Sequence, residues 1–268
     1  MVSGLSVILI IMSIALCVAF PLGILIQMYR RYGVSWKVVL AGSMAFIISQ
    51  PMLRINILNG LNNSIWFSIN VMQDYIIYSL FLGITAGIFE ETARFTCFKF
   101  FLENKSQWHS GIAFGAAHGG IEAMIFAFPA CINNLIYSLS INSGKFESML
   151  TKSGISSNVI SQMKVSLISA KSYLFLIPGL ERVFAIIHHI AMSLMVLYAV
   201  KYKKSIYFLY AILFHALVNS PLGVFMHFGV NVILIELYVM IMALMSILII
   251  FKFKSKFNTE ERLEVSIE

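Results

Sequence analysis

The stretch Ile88-Phe89-Glu90-Glu91-Thr92-Ala93-Arg94-Phe95 decides the fold. Two adjacent carboxylates and an arginine sit inside an apolar run, residues 75–102, long enough to cross a membrane. An ionisable group at bilayer depth costs at least about 2.5 kcal/mol, so it faces a partner or a wet cavity rather than lipid. The rest of the chain must therefore supply partners at the same depth.

The composition fits a chain made for lipid. Of 268 residues, 59% are hydrophobic and only 12% charged, with a mean hydropathy of +0.87, whereas a soluble domain is about 45–50% apolar and about 25% charged. The net charge of +7 falls in short patches at the ends of apolar runs. That placement excludes a nucleic-acid footprint and matches the positive-inside pattern. Cys17, Cys97 and Cys131 lie in apolar surroundings and give neither a disulfide framework nor a zinc spacing. The N-terminal apolar run has no positive segment before it and is followed by Arg30 and Arg31, so it reads as a retained helix rather than a cleaved signal.

With about 20 apolar residues per crossing, the expected fold is all-α: a polytopic membrane bundle of about seven helices forming one domain over 1–268. The expected helices are 5–28, 38–58, 75–102, 110–130, 173–200, 206–225 and 230–251. A Ser-, Asn- and Lys-rich external loop is expected over 133–172, with short amphipathic helices near 146–150 and 159–168, and a charged tail over 252–268. Basic residues gather at alternate connections: Arg30, Arg31 and Lys37; Lys99 and Lys105; Lys201, Lys203 and Lys204; Lys252, Lys254 and Lys256. This asymmetry predicts an outside N-terminus and a cytoplasmic C-terminus in a plasma membrane.

Four helices carry polar groups at a shared depth. Glu90 and Glu91 lie on the third, His118 on the fourth, His188 with His189 on the fifth, and His215 with Asn219 on the sixth. Counted from the cytoplasmic ends, all fall roughly 12–18 Å into the bilayer. Arg94 is four residues from Glu90 and three from Glu91, so it can pair with either and split the two carboxylates into different roles. The spacing favours Glu90 as the base, with Glu91 in the pairing role. His118 and Glu122 are also four apart, as are His215 and Asn219; Glu122 reads equally well as a brace for His118 or as a structural group. Gly115, Gly119 and Gly120 leave room beside His118 for a close helix or an extended peptide. Glu181–Arg182 and Gln50–Arg54 read as structural contacts, and His189 as packing or pore lining.

These residue types suit amide hydrolysis. A carboxylate takes a proton from water and returns it to the leaving nitrogen, while His and Asn donate to the oxyanion. The same groups, Glu90, His118, His188 and His215, could instead hold a zinc ion with water in an open position, although the chain has no His-Glu-x-x-His motif. A proton-coupled transporter and a non-catalytic binding protein are the rival readings.

The order Glu-Glu-x-x-Arg, Phe-x-x-x-His and His-x-x-x-Asn on separate helices, over roughly residues 40–225, resembles the CAAX-protease and bacteriocin-processing superfamily of intramembrane proteases. Arg94 stands one residue earlier than is usual there, as in the PrsW branch, and His118-Gly119-Gly120-Ile121-Glu122 looks most like the YhfC-type branch. The resemblance implies an intramembrane peptidase of glutamate type or metal-dependent type, with a membrane-bound peptide or protein as substrate. In it Glu90 or Glu91 would activate water, Arg94 would orient the carboxylates, His118, His188 and His215 would line the site, and Asn219 would help hold the oxyanion. The early arginine points away from prenylated substrates.

Overall fold

The computed structural model describes residues 1–105 and 107–267. Among the described residues the regular structure is helical, and seven helices are long and apolar enough to cross a membrane: Gly4–Tyr32, Trp36–Asn62, Tyr75–Phe101, Trp108–Asn142, Ile177–Lys201, Ile206–His227 and Val232–Glu260. They are called here the first to the seventh span. The protein is an all-α, polytopic integral membrane protein.

The departures from expectation have local causes. The fourth span does not stop at Pro129 but runs on to Asn142. A π-helical segment, Ala123–Ala127, precedes Phe128–Asn142, where the proline occupies the first turn. A proline is tolerated in the first turn of a helical segment, where its fixed φ already suits the helix. The stretch expected as a loop is thus largely helical, since Phe146–Lys152 and Ser157–Ser169 follow, near the two places where short helices were expected. Gly144 and Gly154, at φ of 73° and 78°, make the left-handed turns that separate these pieces. The tail expected from Lys252 instead continues the last helix to Ile267; Glu268 lies outside the described residues.

The chain divides into two compact units. The smaller comprises residues 1–20 and 122–183. Its apolar core joins Val2, Ile141, Phe146, Leu150 and Ile160, so the two short helices bury their apolar faces against the ends of the first and fourth spans. Asn142 pins the chain start, accepting from Val2 N and donating to Val2 O. Ser13 donates to Phe175 O, and Gly179 packs against Ser13 closely enough that a Cβ would lie 2.5 Å from the Ser13 Cα.

The larger unit, residues 21–121 and 184–268, holds the third span and its partners. Asp74 caps that span, accepting from Ile76 N and Ile77 N. From there two opposite stripes run up the helix. Ile77, Leu80, Ile84 and Ile88 are exposed, a face suited to lipid. Ser79, Gly83, Gly87 and Glu91 repeat every fourth residue and are buried. This small stripe presses on the sixth span. A Cβ on Gly83 would meet the Ser220 backbone N at 2.7 Å, and one on Gly87 the Ile212 carbonyl at 2.8 Å. The backbones close up until the next residue of the stripe, Glu91, reaches His215.

The fourth span is enclosed on every side from Ser110 to Gly120. Its glycines admit other helices rather than an extended peptide. A Cβ on Gly115 would lie 2.5 Å from the Ile190 Cα, one on Gly119 3.0 Å from the Ile186 Cα, one on Gly120 2.9 Å from the Pro21 Cβ, and Gly42 of the second span meets the Phe114 carbonyl in the same way. This packing brings His118 and His189 to a ring separation of 4.7 Å.

A paired substitution tests the contact of the third and sixth spans. Gly83→Ala forces a methyl into backbone, and overpacking of this kind costs about 1–3 kcal/mol. Gly23→Ala places the same methyl in open space on the first span, where the only change is a better helix former. Thermal melting in one detergent should show a clear drop for Gly83→Ala and a neutral or raised value for Gly23→Ala. Equal melting temperatures would mean that these two spans are not in close contact.

Candidate metal and catalytic site

Seven polar side chains converge in the larger unit: Gln50, Glu90, Glu91, Arg94, His118, His189 and His215, all of them buried. Helical geometry sets which way they point. Glu90 and Glu91 are neighbours, so they project about 100° apart, and each meets a different set of partners.

Glu91, fully buried, pairs with His215, whose Nδ1 lies 2.7 Å from Oε1. Its other oxygen lies 3.5 Å from Arg94 Nε. A carboxylate only accepts, so His215 carries a proton on Nδ1, and in the neutral ring Nε2 keeps a lone pair. That Nε2 faces Glu90 Oε1 at 3.7 Å. A histidine whose far nitrogen is braced by a carboxylate is held in one tautomer and made more basic.

Glu90 stands at the centre. Its Oε2 lies 2.9 Å from His118 Nε2, 3.6 Å from Arg94 Nη2 and 3.8 Å from His189 Nδ1. Its Oε1 accepts a hydrogen bond from Gln50 Nε2. Arg94 ties the two carboxylates to the fifth span, donating from Nη1 to the His189 carbonyl at 3.1 Å and to Ser193 Oγ at 3.2 Å. Its Nη2 lies 2.7 Å from His189 Nδ1. A guanidinium has no acceptor, so His189 Nδ1 accepts here and Nε2 bears the proton.

Glu90, His118 and His189 each offer a ligand atom within 4.8 Å of the others, and all three are buried. Zinc bonds of 2.0–2.1 Å in a tetrahedron space ligand atoms about 3.3 Å apart. The 2.9 Å from Glu90 to His118 and the 3.8 Å from Glu90 to His189 straddle that spacing. One carboxylate and two imidazoles are also a donor set that zinc takes in hydrolytic sites. The residues fit a metal ion, with two competitions built in: the lone pair at His189 Nδ1 accepts from Arg94, and His118 Nε2 bears the proton it donates to Glu90, which an ion would displace.

The structure thus brings together Glu90, Glu91, Arg94, His118 and His215, all expected from sequence. Two others go elsewhere. His188 turns to the seventh span, where its Nδ1 lies 2.8 Å from Ser246 Oγ, and Asn219 is exposed although His215 one turn away is buried. His189, expected as packing or pore lining, takes the place given to His188. A signal for it was present: Ser193 lies four residues beyond His189 and makes a polar stripe with it, whereas His188 is followed at that spacing by Met192. Gln50 and Arg54, expected as a plain helix contact, extend into the site. Glu122 reads from sequence as a brace for His118 or as a structural group. It pairs with Arg182 in the smaller unit, Oε1 to Nη1 at 2.9 Å, and Arg182 pairs in turn with Glu181 at 2.8 Å.

Comparison with known proteins agrees with this geometry. The profile of a family described as YhfC intramembrane metalloprotease matches residues 16–239, a stretch that contains every member of the cluster. The chain is 32% identical over 260 residues to a Bacillus subtilis (strain 168) protein, "Uncharacterized membrane protein YhfC", covering 96% of this chain and 100% of that one. No solved structure matches. With the match spanning most of the chain and enclosing the buried Glu90–His118–His189 group, the chain belongs to the YhfC intramembrane metalloprotease family.

Proposed function

We propose that the protein is a metal-dependent intramembrane endopeptidase that hydrolyses a peptide bond of a membrane-associated protein or peptide. The observation that carries this reading is the buried group of one carboxylate and two imidazoles, set beside a second histidine–carboxylate pair. Glu90, His118 and His189 would hold the ion. When bound, zinc supplies Lewis acidity, polarising the scissile carbonyl and acidifying a water.

The remaining groups handle protons and charge. His215 Nε2 takes the proton of the attacking water and passes it to the leaving nitrogen. Glu91, on the far nitrogen of the same ring, stabilises the imidazolium that forms between the two transfers, as a buried carboxylate does for the histidine of a hydrolytic triad. This gives the pair of glutamates separate tasks: Glu90 faces the reacting centre and Glu91 backs the proton carrier. Arg94 holds both carboxylates to His189 and Ser193, so their separation is fixed before substrate arrives. Asn219, exposed, has no part in the scheme, and His188 belongs to packing against the seventh span. The substrate reaches the site from within the bilayer, and the alternating basic connections orient the C-terminus to the cytoplasm.

Metal analysis of purified protein tests the ligand set and separates the adjacent histidines. Wild type and His188→Ala should carry about one zinc per chain, while His118→Ala, His189→Ala and Glu90→Gln should carry little. Equal zinc in all five, or loss in His188→Ala alone, would overturn the assignment.

Cleavage of a single-span reporter by the protein reconstituted in lipid vesicles tests the proton path. His215→Ala and Glu91→Gln should retain zinc but lose about 10²–10⁴-fold in rate, the usual contribution of general acid–base catalysis. Full cleavage by both variants would remove this dyad from the mechanism. Cleavage that persists in metal-free protein would favour a glutamate-only peptidase.

A further inference from the structure

Between the second and third spans, a polar chain runs from Arg54 through Gln50 to Glu90. Arg54 Nη1 donates to Gln50 Oε1 at 3.0 Å, and Gln50 Nε2 donates to Glu90 Oε1. Arg54 is itself fixed to the third span: Nη2 donates to the Leu82 carbonyl at 2.6 Å and Nε to Thr85 Oγ1 at 3.2 Å. The chain therefore leaves the third span at Leu82 and Thr85 and returns to it at Glu90.

The direction of the amide is dictated rather than chosen. An arginine has five donors and no acceptor, so the face of Gln50 turned to Arg54 must be its oxygen. The nitrogen is then left pointing at Glu90, with no alternative flip that keeps both contacts. Backbone geometry supplies the aim: Gln50 and Arg54 lie on the π-helical segment Ile48–Arg54, which contains Pro51. The wider turn of a π segment re-registers the side chains that follow it, a device often found at functional sites.

We infer that Gln50, oriented by Arg54, is a positioning residue for the Glu90 carboxylate. It occupies Oε1, so that Oε2 alone is presented to His118 and His189. The inference rests on the proposed role of Glu90 as a ligand and names what makes it a one-oxygen ligand. Arg54 acts only through Gln50.

Gln50→Met tests this, because methionine keeps the length and the apolar fit while removing the donor. Zinc affinity, measured with zinc alone against a chromophoric chelator, should fall about 10–100-fold, the usual loss when a group bracing a metal ligand is removed. In the reporter assay kcat should fall by a similar factor with KM unchanged within about twofold. Arg54→Met should reproduce both effects, and the double variant should lose no more than Gln50→Met. A second readout needs no metal: the carboxylate stretching bands of Glu90, isolated as the infrared difference between each background and its Glu90→Gln partner, should shift when Gln50 is replaced. Unchanged bands in folded Gln50→Met protein would overturn the inference, as would wild-type zinc affinity and kcat. Wild type that binds no zinc while the bands still shift would overturn the metal reading of the site and leave the positioning role standing.

Discussion

Everything in the larger unit is arranged around one buried cation. Arg94 has no exposed surface, and it lies within 3.6 Å of Glu90 and 3.5 Å of Glu91. Two carboxylates on successive residues of a membrane helix repel each other and have both lost water. A cation one turn away is the nearest compensation a helix can supply. The guanidinium also donates to the His189 carbonyl, His189 Nδ1 and Ser193, so the ion group on the third span specifies where the fifth span must sit. Arg54, on the second span, reaches the group through the Gln50 amide, which donates to Glu90.

Such a group can form only if the helices come unusually close. Apolar side chains give no net drive for helices to leave lipid for one another, so close contact depends on small residues and polar pairs. The third span meets the sixth through Gly83 and Gly87, and the fourth meets the second, the fifth and the first through Gly42, Gly115, Gly119 and Gly120. The same four-residue repeat that carries Ser79, Gly83 and Gly87 carries Glu91. Packing and chemistry thus share one helical face, and His215 is reached by Glu91 because the glycines one and two turns away have already drawn the sixth span in.

The number of spans, and the shared level of Glu90, His118 and His215, were legible because both depend on composition along one helix. Ends were less so. Pro129 looks like a terminus, yet a π segment and a first-turn position let the helix pass it. Lys252, Lys254 and Lys256 look like a tail, yet the helix continues beneath them: Lys256 donates to Tyr207, and Phe253 and Phe257 stay buried. Which carboxylate pairs with which histidine was not legible at all. That depends on rotation of each helix about its axis, and rotation is set by partners the sequence does not order.

The adjacent histidines show how sharp that limit is. His188 and His189 differ by one residue and therefore by about 100° around the axis, so only one of them can face Glu90. Neighbours decide between them. Gly115 and Gly119 accept the fifth span along Ile186, His189 and Ile190, which turns His189 inward. Ser246 on the seventh span takes His188 on the other side. The reading from motif order places His188 in the site and leaves His189 to packing or pore lining. Once the glycine contacts are known, the choice follows from the helix itself, and the carboxylates follow in the same way: Glu91 is turned to the sixth span by the small stripe beneath it, and Glu90, rotated from it by one residue, is the one left facing the second, fourth and fifth.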